Sequence, residues 1–168
     1  MTPVTVRVPG STSNCGAGFD VLGMALSLHN EVTLSPVDSN EARPERESDG
    51  RAAGMVAEVQ AEFARATGRS GPGFQYRIEG EVPPSRGLGS SVTVLAGVLA
   101  GLNHWHGSPL DSHAMAEILT RIEGHPDNAT AGVWGGFCVS RCGESAADLR
   151  DLVRVEIPST LKFVVASP

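Results

Sequence analysis

The segment Pro83-Pro84-Ser85-Arg86-Gly87-Leu88-Gly89-Ser90-Ser91 runs without a break into a long apolar stretch, Val92 to Trp105. In that stretch Val94, Leu95, Val98, Leu99 and Leu102 cover more than one helical face, which predicts a helix buried all round. Gly97 and Gly101, four apart, would let a neighbouring element approach its backbone closely. Gly87 and Gly89 allow the preceding turn to point its N–H groups inward, and the helix start adds unpaired N–H groups and the positive end of a dipole. Such a turn can hold an anion. Ser90 and Ser91 can cap the helix, donate to phosphate oxygens, or offer a hydroxyl to Mg2+, which prefers oxygen ligands. Taken alone, the same residues also describe an ordinary glycine turn with serine caps. Lys162 is the only lysine. A phosphate site here therefore cannot use a P-loop lysine and has to rely on main-chain donors.

The flanking sequence predicts a mixed architecture. Thr5–Val8 alternates as a strand and breaks at Pro9-Gly10 into a small-residue loop, Ser11 to Gly18. Leu26–Val37 suggests a second strand. Ser39–Gly50 is charged, contains proline and lacks periodicity, so it reads as a surface loop removable without touching a core. Ala52–Thr67 is an amphipathic helix ended by Gly68, and Phe74, Tyr76 and Ile78 alternate in a strand. Asp111 and Ser112 can cap a helix through Ile122, closed by Gly124. Strands are expected at Phe137–Ser140, Leu152–Ile157 and Leu161–Ala166. The fold class is α+β, a sheet with helices packed on one face. Trp105 and Trp134 read as core or rim packing. His104 and His106, two apart on a helix, face different directions and make no metal pair.

Two further segments have the residue types for chemistry. In Pro9–Gly23, Asn14 and Asp20 flank a run of small residues, suited to gripping an ammonium- and hydroxyl-bearing ligand, or to capping turns locally. In Glu123–Asn128 a carboxylate at a helix end precedes a His-Pro-Asp-Asn turn, which can gather a metal ligand and polar contacts or simply terminate the helix. The formal net charge of −6 and the absence of any Lys/Arg cluster argue against nucleic-acid binding. No apolar run is long enough to span a bilayer. Three cysteines, Cys15, Cys138 and Cys142, form no CxxC pair and read as thiols in a reducing compartment. The N-terminus lacks a signal-peptide pattern, so the expected location is the cytoplasm.

In this order and spacing the three segments resemble the GHMP kinase superfamily, whose phosphate loop reads Pro-x-x-x-Gly-Leu-Gly-Ser-Ser. Pro9–Gly23 and the block Glu123-Gly124-His125-Pro126-Asp127-Asn128 are similar to its homoserine kinase branch. The resemblance implies ATP and Mg2+ as cofactors and L-homoserine as substrate. It implies that Pro84, Arg86, Gly87, Leu88, Gly89, Ser90 and Ser91 cradle the phosphates, and that Ser91 with Glu123 holds magnesium. Asn14, Asp20 and Asn128 would contact the alcohol, with Asn128, Glu123 and His125 at the catalytic centre. The family is thought to work without a dedicated base, Asn128 standing where related kinases carry aspartate; Asp127 is the rival base. Val92-Thr93 replaces the family's usual Ala-Ala. The resemblance also implies residues 1–158 as the ATP-binding domain and 159–168 as the start of a second, ferredoxin-like domain that the chain does not complete. The expected consequences are a homodimer or poor solubility and weak or absent turnover in this chain alone. Other readings are a kinase for mevalonate, shikimate or a sugar, and a non-catalytic nucleotide-binding module.

Overall fold

A long antiparallel hairpin organises the sheet. The computed structural model describes residues 1–145, 148–162 and 164. β1 (Val4–Asn14) pairs with β2 (Gly18–Pro36) along its length. On the other side of β2, β4 (Phe74–Gly80) pairs with Asn30–Pro36 and β5 (Phe137–Cys142) with Leu22–Met24. β3 (Ala42–Pro44) adds parallel to β4, and β6 (Leu149–Val155) adds antiparallel to β5. The order is β3-β4-β2-β5-β6, with β1 beside β2.

Side-chain alternation decides which face receives helices. Val6, Val32 and Ile78 align in one cross-strand row and Val4, Leu34 and Tyr76 in another. The intervening rows, Arg7-Glu31-Glu79 and Thr5-Thr33-Arg77, form the polar face. A slip of one residue would exchange the two faces, so the register is firmly specified. Against the apolar face pack α1 (Ala53–Thr67), α2 (Ser90–Trp105), α3 (Ser112–Glu123) and α4 (Asp127–Trp134). Val32, Leu34, Phe63, Phe74, Tyr76, Leu95, Leu99 and Leu102 are essentially inaccessible. Each buried side chain of this size contributes about 1.5–3 kcal/mol. Cβ atoms at Gly97 and Gly101 would lie 2.5 Å from Val32 Cγ2 and 2.5 Å from Leu34 Cδ1. The two small positions thus seat α2 directly on β2.

Most expected elements are present: α1 ends at Gly68 in a left-handed conformation, and Asp111 Oδ1 caps α3 by accepting from Ala114 N at 2.8 Å. Trp105 packs on the core, 6.0 Å edge-on from Phe74. Four expectations are corrected. β1 does not stop at Pro9-Gly10 but continues to Asn14, because β2 begins at Gly18 and supplies ladder partners for Ser11, Thr12 and Ser13. Ser39–Gly50 is not a detachable loop. It contributes β3 and the start of a 3-10 helix, Glu47–Ala52, with Asp49 6% exposed. Arg46 fastens it by donating to Asp49 Oδ2 at 3.2 Å, Glu79 Oε1 at 3.1 Å and Ile78 O at 2.6 Å. The residues after Pro126, expected only as a turn and glycines, form α4. The sixth strand spans 149–155 rather than 152–157. The strand expected over Leu161–Ala166 falls partly outside the described residues, and Leu161 and Lys162 are not in a strand.

Candidate active site

The start of α2 is held from below by a buried polar relay. Asn30 Nδ2 donates to Thr93 Oγ1 at 2.9 Å, Thr93 Oγ1 donates to Ser90 O at 2.7 Å, and Asn30 Oδ1 accepts from Val82 N at 3.1 Å. Asn30 is 5% exposed and Thr93 0%, so these bonds exchange little with water and fix the first turn relative to β2. The glycine turn is tied to β1 where Ser11 N donates to Leu88 O at 3.0 Å. Gly89 sits at the helix N-cap with φ +65°, and no side chain caps the helix. The first-turn N–H groups of α2 are therefore available to an anion. Gly87 (φ +70°) and Ser85 (φ +58°) are also left-handed, which folds the turn back on itself. Pro84, Ser85, Arg86 and Gly87 are exposed, Leu88 and Gly89 buried, and Ser90 and Ser91 half-buried.

The other two segments meet this turn. Ser11 Oγ donates to Asn128 Oδ1 at 2.8 Å, and Asn128 Nδ2 donates to Ser13 Oγ at 3.3 Å. Asn14 Nδ2 donates to Ser13 Oγ at 3.2 Å, while Asn14 Oδ1 accepts from Asp20 N at 3.1 Å. Asn14 and Asp20 both adopt positive φ, 66° and 54°. The Asn128 carboxamide is thus fixed by β1 beside Gly89, whose added Cβ would lie 3.4 Å from Asn128 Oδ1. Gly23 of β2 packs directly on the Asp127 carbonyl and brings the first turn of α4 against the hairpin.

Within that turn His125 Nδ1 and Asp127 Oδ1 are 2.6 Å apart, and Asn128 N donates to the same Oδ1 at 2.6 Å. One ligand atom each from Asp20, His125 and Asp127 lie within 4.8 Å of one another. Ser91 Oγ donates to Glu123 Oε2 at 3.1 Å across the α2–α3 junction. Asn14, Asp20, Glu123, His125, Asn128 and the Gly87–Ser91 turn thus fall into one linked region. Arg86 stands apart, exposed and without a hydrogen bond or ion pair among the described residues.

Beside the turn opens a cavity of about 470 Å³, lined by residues that include Pro84, Ser85, Ser90, Arg46, Asp49 and Met55. Tyr76, buried near it, has its phenol pKa raised by burial and by the Asp49 carboxylate. The sequence offered no signal for this cavity, because its wall comes from the segment with no periodicity. It also missed Ser11, Ser13, Asn30 and Thr93 as supports. Their polar side chains in strand- and helix-forming contexts were the available signal.

A lysine-free glycine turn, a serine–glutamate pair and an anchored asparagine are thus brought together. The GHMP kinases N terminal domain family matches residues 52–136. The chain belongs to the GHMP kinases. Among curated relatives of this GHMP kinase chain, a homoserine kinase from Prochlorococcus marinus (strain NATL2A) is 36% identical over 173 residues, 98% of the chain and 54% of that protein. One from Clostridium kluyveri is 35% identical over 175 residues, 100% of the chain and 56% of that protein. The crystal structure of homoserine kinase from Cytophaga hutchinsonii superposes with a TM-score of 0.76 at 22% identity, covering 95% of this chain and 53% of that one. At that identity the likeness is one of fold, the GHMP N-terminal α+β architecture. The chain spans about half the length of these relatives. Among the described residues no helix is long and apolar enough to cross a membrane.

Proposed function

We propose that this chain is the nucleotide-binding half of a homoserine kinase, which moves the γ-phosphoryl group of ATP to the hydroxyl of L-homoserine to give ADP and O-phospho-L-homoserine. The observation that carries the reading is the Asn128 carboxamide, pinned by Ser11 and Ser13 next to Gly89 at the uncapped start of α2. A group able to hold an alcohol is thereby set beside a group able to hold a phosphate. The family membership and the names of the relatives at 35–36% identity support the choice of substrate.

The main-chain N–H groups from Gly87 to Ser91 and the α2 dipole offset the charge of the phosphates. The neighbouring cavity gives the nucleoside a place that shares Pro84, Ser85 and Ser90 with the turn. Ser91 and Glu123, two oxygen donors 3.1 Å apart, fit Mg2+. Held there, Mg2+ would supply charge neutralisation for the phosphoryl group in transfer. Asn128 orients the hydroxyl but, as an amide, cannot take its proton. Phosphoryl transfer through a loose transition state tolerates this, because positioning and charge neutralisation provide most of the rate. Asp20 and Asn14 at the hairpin tip face the amino-acid part of the alcohol. Cysteines outside any disulfide suit the cytoplasm. Exposed Val153, Val155, Leu161 and Val164 favour self-association of this half on its own.

The test is ADP release with L-homoserine, mevalonate, shikimate and galactose, run beside thermal unfolding of the chain with and without MgATP. Ligand at 100 times its Kd should stabilise by about 2.7 kcal/mol. Preference for another alcohol, or no MgATP shift in a folded chain, overturns the reading.

A further inference from the structure

Asp127 is left without a task by the phosphoryl-transfer reading, and its surroundings are unusual. Its side chain is 1% exposed, too deep to touch a substrate. Oδ1 takes two close contacts, from His125 Nδ1 and from the Asn128 main-chain N–H, both at 2.6 Å. Oδ2 is buried with no hydrogen-bond partner. An oxygen that accepts from a main-chain N–H acts as an acceptor, so the hydrogen shared with the imidazole belongs to His125 Nδ1. In the neutral ring Nε2 is then a bare lone pair. The His125 side chain is 33% exposed, and its Nε2 has no hydrogen bond among the described residues. The Asp20 carboxylate lies in the same cluster, with one oxygen within 4.8 Å of a His125 ring nitrogen. Two acceptors side by side suit a ligand that brings several N–H donors.

We propose that Asp127 is a positioning residue that locks His125 in its Nδ1–H tautomer, so that His125 Nε2 and Asp20 present paired acceptors to the ammonium group of an amino alcohol. The identity of the ligand rests on the proposed function; the tautomer does not. The same Oδ1 also fixes the first turn of α4 through Asn128 N, so one buried carboxylate aligns the amine-facing and the hydroxyl-facing side chains together. A purely structural role would be served as well by a residue without a buried charge. A carboxylate with one oxygen unsatisfied is a liability that folding alone does not explain. As the second carboxylate does in a catalytic triad, Asp127 would act by orienting an imidazole rather than by taking a proton.

The test is 15N NMR of the histidine-labelled chain, in which the two ring-nitrogen shifts report the tautomer. The wild type should show His125 protonated at Nδ1 and bare at Nε2. Asp127→Asn can turn its amide N–H toward Nδ1 and, as in the triad, should populate the Nε2–H tautomer, and Asp127→Ala should populate both. In the active enzyme Asp127→Ala should raise KM for L-homoserine by about tenfold or more, as loss of an orienting partner typically does, and leave KM for ATP nearly unchanged. A wild-type ring protonated at Nε2 overturns the proposal, and so does an Asp127→Ala chain that keeps a single Nδ1–H tautomer or shifts both KM values alike. If Asp127→Ala does not fold, the wild-type and Asp127→Asn spectra decide the matter, an Nδ1–H ring in the wild type and a gain of Nε2–H in Asp127→Asn supporting the proposal and an Nε2–H wild type overturning it. In the active enzyme, the expected tautomer with turnover of another alcohol but not of L-homoserine refutes the substrate and leaves the tautomer standing.

Discussion

Replacing Gly89 with alanine tests the junction of all three segments at once. Gly89 is left-handed at φ +65°, and an added Cβ would overlap Ser11 Oγ. Ser11 is 0% exposed and already donates to Asn128 Oδ1, so its hydroxyl cannot swing aside without breaking that bond. A non-glycine residue in this conformation costs roughly 1–2 kcal/mol, and a buried hydrogen bond left unmade costs about 1–3 kcal/mol. The expected loss is about 3 kcal/mol, which for a chain of this size lowers Tm by about 6–12 °C. Circular dichroism melts with and without MgATP would read both the destabilisation and the loss of nucleotide protection. Ser11→Ala removes the obstructing oxygen, so the double variant should recover about 1 kcal/mol relative to the sum of the single changes. Unaltered melting and MgATP protection in Gly89→Ala, or strict additivity with Ser11→Ala, would refute the geometry.

Glu123→Gln should raise the Mg2+ concentration needed for half-maximal ATP protection by about tenfold or more, read from Tm against Mg2+ titrations; an unchanged midpoint assigns the metal elsewhere. The guanidinium groups of Arg65 and Arg121 hold the Glu62 carboxyl below its usual range. A depressed carboxylate stabilises the fold above its unfolded value of about 4.3 and loses that contribution as pH falls through the lower folded value. The Tm gap between wild type and Glu62→Gln should therefore be full at neutral pH and close below about pH 4. Burial pushes the Cys138 thiol up and, less completely enclosed, that of Cys142, whereas Cys15 is exposed. Iodoacetamide should modify Cys15 first and Cys138 only on unfolding, checked by mass spectrometry of the labelled peptides.

Elements whose periodicity is set by one dominant face were legible in the sequence. α1 and α3, with apolar residues three and four apart and glycine stops, fall within a residue of expectation at their ends. The glycine turn leading into a buried helix was legible because glycine spacing and an all-round apolar run coincide. β1 was cut short because Pro9-Gly10 and a run of serines look like a loop locally, and only pairing with β2 makes them a strand. α4 was missed because His125-Pro126 and three glycines mask a short helix stabilised by its packing against β1, β2 and α2. The 39–50 segment was misread because its order comes from Arg46, which reaches Glu79 and Ile78 more than thirty residues away. Among site residues, those in recognisable blocks converged, while their supports Ser11, Ser13, Asn30 and Thr93 carry no pattern outside the folded chain.

The pairing of β2 has a mechanical corollary. Pro9 faces His29 and Ser11 faces Ala25, so Leu26, Ser27 and Leu28 bulge opposite the single residue Gly10. On the outer side the β4 ladder stops at Asn30 and the β5 ladder at Met24, leaving Ala25 to His29, the bulged residues among them, between the two ladders. The half of the sheet that walls the cavity beside the glycine turn and the half that backs the His-Pro-Asp-Asn turn are therefore joined through a short waist in the β1–β2 ribbon. Bulges concentrate bend and twist. A bend between the two halves would concentrate at that waist, where three residues face one.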